Sequence, residues 1–320
     1  MFEEEINSSP FLVTKRSLFH FVILMMISLT TLALAYSCMF DKQFFFKFIG
    51  YCSLGILLEI SYLFITEGKL RLKSGSSAIT AAILVLSIPP ATPFWPIFFA
   101  LVIAIFIVRL PVSKYGIIFN PVLIGRLFLM MAYNNHIVNF TALKPVDSLS
   151  SATPLELYHG EGFPLEIFNL ITTNITSIWE DIYQIVPGAP GEVFPLLIIL
   201  IATLLVIKKV ADWKAGLFFL LSFSTTNFFI NEPVLFNLFS GGVIFASVFI
   251  ASDPKSTPSS KEGRIIAGVI AGIANALIRK YTFYSEGIVF SFLLVNLLAP
   301  LLDRLAFTFR GFILLKRRKT

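Results

Sequence analysis

Charge is what this chain has least of. Only 14% of its 320 residues are Asp, Glu, Lys or Arg, against about 25% in a soluble globular domain, and that shortage excludes a water-soluble fold. Cysteine is nearly absent too. Cys38 and Cys52 form no C-x-x-C pair, and an iron–sulfur cluster held within one chain needs about four thiolates, so no such cluster belongs to this chain alone. Both are expected to be apolar packing residues. The three histidines, His20, His136 and His159, lack metal-ligand spacing, so no metal site and no catalytic group are read from the sequence. No small-residue cleavage site follows the first hydrophobic segment, which therefore reads as an anchor rather than a removable leader.

What fills the chain instead is apolar sequence, 56% of all residues with a mean hydropathy of +0.83. The runs are continuous rather than alternating, which argues against a β-barrel. Several are long enough to cross a hydrocarbon core, which takes roughly 17–25 apolar residues per helix. The expected fold is an all-α polytopic membrane protein with about ten transmembrane helices. They fall near 18–36, 44–65, 77–88, 95–108, 119–133, 194–207, 215–230, 237–251, 265–278 and 288–302. This divides the chain into a cytoplasmic segment 1–17, a first five-helix unit 18–133, a polar loop 134–192, a second five-helix unit 193–306 and a basic tail 307–320.

The net charge of +6 does not point to nucleic acid, because the cations sit where the positive-inside rule places them. With the N-terminus inside, the inner loops hold Lys69, Arg71 and Lys73, then Arg109 and Lys114, then Lys208, Lys209 and Lys214, then Lys255, Lys261 and Arg264, and finally the tail. The long loop carries one base, Lys144, against Asp147, Glu156, Glu161, Glu166, Glu180, Asp181 and Glu192. Both termini are thus expected in the cytoplasm and the loop outside, in the periplasm of a bacterial inner membrane. Only Arg279-Lys280 falls on the wrong side.

The two hydrophobic halves resemble each other. Ser74-Gly75 before an apolar run ending at Pro89 parallels Ser240-Gly241 before a run ending at Pro254. Gly116-Ile117-Ile118-Phe119 parallels Gly287-Ile288-Val289-Phe290, and each lies a few residues beyond an arginine, Arg109 or Arg279. An odd number of crossings per unit requires the second copy to be inverted, and inverted repeats with broken helices place binding sites where the repeats meet. The third and eighth helices are short, and helix ends at membrane depth must be buried in protein or face a cavity. Asn120, beside a proline break, offers a donor and acceptors. The run Ser222, Ser224, Thr225, Thr226, Asn227 more ordinarily glues helices together. Glu59 and Arg126 are intramembrane charges, functional candidates that could equally be structural pairs.

The long loop contains a Ser/Thr-rich stretch, Asp147-Ser148-Leu149-Ser150-Ser151-Ala152-Thr153-Pro154-Leu155. Pro154 biases Thr153 towards an extended backbone, so its hydroxyl would be presented outward to a modifying enzyme. Composition alone describes an ordinary solvated loop.

Together these motifs resemble the RnfD/NqrB family, the membrane flavin subunits of the Rnf electron-transport complex and the sodium-translocating NADH:quinone reductase. The loop stretch is similar to the family's flavin-attachment motif, with Ser151 where glycine is usual. Phe119-Asn120-Pro121, Leu238-Phe239-Ser240-Gly241-Gly242 and Ala251-Ser252-Asp253-Pro254 look like three further family motifs. The resemblance implies FMN joined to Thr153 through a phosphoester, with Asp147, Ser150, Ser151 and Ala152 around it. It implies a redox role for the chain, with Asn120, Ser240, Gly241 and Asp253 as cofactor-contacting residues, and a second, riboflavin-like flavin between the repeats. Its partners would be a flavin transferase, the other subunits of an ion-translocating complex and membrane lipid. A urea- or ammonium-type channel without flavin is the alternative, since inverted five-helix repeats serve both and a fold alone does not decide function.

Overall fold

The computed structural model describes residues 18–68, 75–112, 119–133, 189–282 and 287–317. Among them every element is helical: α1 Leu18–Met39, α2 Phe44–Glu67, α3 Ser76–Leu86, α4 Phe94–Val102, α5 Pro121–Ala132, α6 Pro195–Ile207, α7 Trp213–Phe229, α8 Val234–Phe239, α9 Val243–Phe249, α10 Lys261–Tyr281 and α11 Gly287–Arg317. Helix α4 runs on through a π-helical stretch, Ile103–Arg109, and a last turn, Leu110–Val112. Three stretches are long and apolar enough to cross a membrane, His20–Met39, Phe44–Glu67 and Gly287–Thr308. Ser76–Leu86, Phe94–Arg109, Pro121–Ala132 and Pro195–Ile207 are apolar but shorter. The chain is thus a membrane protein with several crossings. Its large exposed apolar side chains, among them Phe46, Leu57, Ile65, Leu200 and Phe229, are what a lipid-facing surface requires, because lipid tails are as apolar as these side chains.

The expected eighth helix, 237–251, is not one helix. The chain breaks it into α8 and α9 at Ser240-Gly241-Gly242, where Gly241 and Gly242 take φ +63° and +70°. A residue with a Cβ is penalised in that left-handed region. Helix α3 also begins after a left-handed glycine, Gly75 at φ +65°. Residues 77–86 of α3 and all of α9 are buried, so these two short apolar segments lie deep in the protein. They sit where bare helix ends meet protein rather than lipid, as a membrane interior demands.

Helix α9 divides the core. Ile244, Phe245, Val248 and Phe249 join a cluster built from α1 to α6. Val243, Ala246, Ile250 and Ala251 join a second, built from α7, α10 and α11 with Leu123 of α5. The second cluster owes its compactness to small residues. A Cβ on Gly272 of α10 would fall 2.5 Å from the Phe219 carbonyl of α7, and one on Gly268 would fall 2.4 Å from the Ala215 carbonyl. With no room for side chains, α7 and α10 meet backbone to backbone, and small-residue contact of this kind replaces the missing hydrophobic drive between membrane helices.

Of the cysteines expected to pack, Cys52 is buried but Cys38 is exposed. Cys38 lies on the last turn of α1, where Tyr36 rather than the thiol fills the core.

Candidate functional site

Two motifs far apart in sequence meet at the start of α5. Asn120 caps that helix: its Oδ1 accepts the Val122 N–H at 2.9 Å, and Pro121 fills the first helical position, where its missing N–H is no loss. This turns the Asn120 amide outward from the helix end. Its Nδ2 donates to Asp253 Oδ2 at 3.0 Å and to Ser256 Oγ at 3.4 Å. Ser256 Oγ donates to the same carboxylate oxygen at 2.8 Å. With its amide oriented to satisfy its neighbours, Asn296 of α11 accepts from the Asn120 backbone N–H and donates to the Ser256 carbonyl, both at 2.9 Å. Arg109, closing the π-helical stretch, donates to Thr80 Oγ1 of α3 at 2.6 Å and lies in the field of Asp253 and Glu59. Glu59 itself is 1% exposed. The result is a polar junction joining elements of both halves.

A second centre forms at the break between α8 and α9. Arg279 of α10 is 2% exposed, and it directs its guanidinium at backbone carbonyls. It donates to Asn237 O at 3.0 Å, Gly241 O at 3.0 Å and Ser240 O at 3.3 Å. Its Cζ also lies 5.3 Å from the centroid of the Phe223 ring, a cation–π contact. The carbonyls left bare where α8 ends thus find a cation at depth. Ser240 Oγ and the amide of Asn275, which precedes Arg279 by one helical turn, have no hydrogen-bond partner among the described residues. Asn227 and Asn237 join side chains at 3.3 Å nearby.

Arg279 and Lys280 break the expected charge rule for the same reason. Lys280 Nζ lies 3.5 Å from Glu232 Oε1 and donates to the Ile230 carbonyl. Arg279 is buried and Lys280 is partly buried against Glu232, so both cations are taken up by contacts within the protein. Glu192 corrects a further expectation. Counted with the acids of a solvated loop, it is instead buried, 3.8 Å from Arg126 Nη2. Arg126, the intramembrane arginine, is its ion-pair partner.

Of the sequence candidates, Asn120 and Asp253 are brought together, while Ser240 and Gly241 contribute carbonyls to Arg279. Thr153, Asp147, Ser150, Ser151 and Ala152 lie outside the described residues. Asn296 and Asn275 show in the sequence only as single polar residues inside apolar runs, and Ser256 is one serine of a polar stretch with nothing to mark it out. Arg279 was visible as a misplaced charge.

Residues 5–308 match the model of the NQR2, RnfD, RnfE family. One subunit of the Na(+)-translocating ferredoxin:NAD(+) oxidoreductase complex of Acetobacterium woodii is 28% identical, over 72% of this chain and 70% of its own length. One subunit of the ion-translocating oxidoreductase complex of Alcanivorax borkumensis is 30% identical, over 72% and 74%. One subunit of the Na(+)-translocating NADH-quinone reductase of Klebsiella pneumoniae strain 342 is 31% identical over 76% of this chain, which spans 61% of that relative.

Proposed function

We propose, on the premise that this chain belongs to the NQR2, RnfD, RnfE family, that it is the flavin-bearing membrane subunit of an ion-translocating electron-transport complex. The observation that carries the reading is the 3.0 Å hydrogen bond between Asn120 and Asp253, 133 residues apart. It unites two of the motifs that carry the family resemblance in one buried junction between the halves.

In this reading FMN is esterified through its phosphate to Thr153 by a flavin transferase, in a loop facing the periplasm, with both termini in the cytoplasm. A bound flavin supplies one- and two-electron transfer; the chain supplies position and surroundings. Partner subunits deliver electrons from NADH or ferredoxin, and transfer is coupled to sodium or proton movement. The body is a pair of inverted five-helix repeats. In support, α3 and α9 each follow a left-handed glycine, and the halves touch through α1 with α6 and through α5 with α11, the pairings that a twofold relation would produce. A second, riboflavin-like flavin between the repeats would find in Ser240 Oγ and the Asn275 amide donors and acceptors that have no hydrogen-bond partner among the described residues.

Co-expression with a flavin transferase, followed by intact mass and in-gel flavin fluorescence, tests this. The wild type should carry one FMN and Thr153→Ala none. Fluorescence that survives the substitution refutes attachment at Thr153, and a wild type that never acquires flavin favours the channel alternative.

A further inference from the structure

The point where the chain returns from the long loop is fastened by groups that the function above leaves unused. In residues 189–194, Ala189 and Val193 are 0% and 1% exposed. Gly191 donates its N–H at 2.7 Å to the carbonyl of Leu86, the last residue of α3. A Cβ on Gly191 would lie 2.8 Å from the Phe245 ring of α9. The segment is therefore wedged between the two short buried helices. Beside it Glu192 pairs with Arg126 at 3.8 Å, with side chains 4% and 3% exposed. The Glu192 carboxylate rests on the break before α9, where a Cβ on Gly242 would sit 2.4 Å from Oε1.

Neither charge is tolerable at such depth without an opposing one. Removing one partner penalises the other, so the pair acts as a positional constraint as well as a contact. Arg126 belongs to α5, the helix from which the loop departs, and Glu192 to the segment by which it returns. We propose that Arg126 and Glu192 form a positioning latch: they tie the two membrane ends of the loop to each other and to the helix break at Gly242, and so hold whatever the loop carries at one place over the polar interior. That the cargo is a flavin rests on the function proposed above; the latch itself does not.

The test uses the full chain in its complex, with Cys38 and Cys52 replaced by alanine and Ala189→Cys added as a probe. Maleimide labelling of that thiol should be slow in the latched protein and about tenfold faster with Glu192→Gln, since breaking a buried pair by removing one partner is strongly destabilising. Neutralising both, Glu192→Gln with Arg126→Gln, should restore protection. If Glu192→Gln fails to accumulate, Glu192→Asp retains the charge while drawing it back from Arg126, and should give faster labelling too. A second readout separates positioning from mere stability. Glu192→Gln should keep its full complement of FMN by intact mass, while NADH or reduced ferredoxin reduces that flavin about tenfold more slowly, because transfer depends on where the carrier is held; Arg126→Lys with Glu192 intact keeps a charge pair and should retain most of the rate. Labelling unchanged in both Glu192→Gln and Glu192→Asp overturns the latch. Labelling that responds in a chain carrying no flavin upholds the latch and overturns the flavin reading.

Discussion

Arg109 and Arg279 each stand a few residues before a Gly-Ile-aliphatic-Phe stretch in the sequence, yet settle their charges in opposite ways. Arg109 is half-buried and uses side chains: the Thr80 hydroxyl at 2.6 Å and the fields of Asp253 and Glu59. Arg279 is buried and uses main chain, taking the carbonyls of Asn237, Ser240 and Gly241. The difference lies in the helix beside each. Helix α3 is unbroken and offers only side chains, whereas the break between α8 and α9 exposes carbonyls that carry partial negative charge. Carbonyls exposed at a helix break can thus serve as partners of a buried cation, and a count of charged residues will not show it.

The sharpest way to break that comparison is to remove the second arginine. Arg279→Met should destabilise the protein by about 3–5 kcal/mol, as loss of one partner from a buried charged contact does, and thermal unfolding in detergent would measure it. Arg109→Met should cost less because that side chain is less completely buried than Arg279, and equal losses would contradict the distinction. Next in size is the break itself. Gly242→Ala places a Cβ at φ +70° and against Glu192, for an expected loss of about 1–3 kcal/mol; Gly50, with nothing within 4 Å of its Cβ position, should accept alanine without loss. At the junction, Asn120→Ala removes a helix cap and should cost about 0.5–2 kcal/mol. A double-mutant cycle with Asp253→Ala should show non-additivity of about 0.5–3 kcal/mol, and additive losses would mean that the two motifs do not act together.

The smallest effect concerns a charged contact outside the spans. Burial raises the Asp212 carboxyl, but the Lys214 N–H, the Arg264 hydrogen bond and the charges of Arg264 and Lys214 together hold it below the ordinary carboxylate range. Its folded value is depressed, so its stabilisation is present above the unfolded value of about 4 and fades as pH falls through the lower folded one. Asp212→Asn should therefore flatten that part of the acid unfolding profile, and an unchanged slope would show that the contact contributes nothing.

Much of the helical plan was readable because apolar run length is the dominant signal in a membrane chain. Helices α1, α2 and α6 begin within a residue of the runs that announce them. The eighth segment misled because an apolar run stays apolar across Ser240-Gly241-Gly242, and hydropathy has no term for backbone handedness. Glu192 misled for another reason. It closes a polar loop in sequence, and only the arrival of Arg126 makes its burial tolerable.

By itself the sequence determined the solvent of this protein, its helical class and the family motifs, since these depend on local composition and spacing. The tertiary structure alone decided which polar groups meet: Asn120 with Asp253, Glu192 with Arg126, and Arg279 with three carbonyls. In an apolar medium a polar group must find a partner inside the protein, and the partner chosen depends on how the helices cross rather than on the order in which they are written.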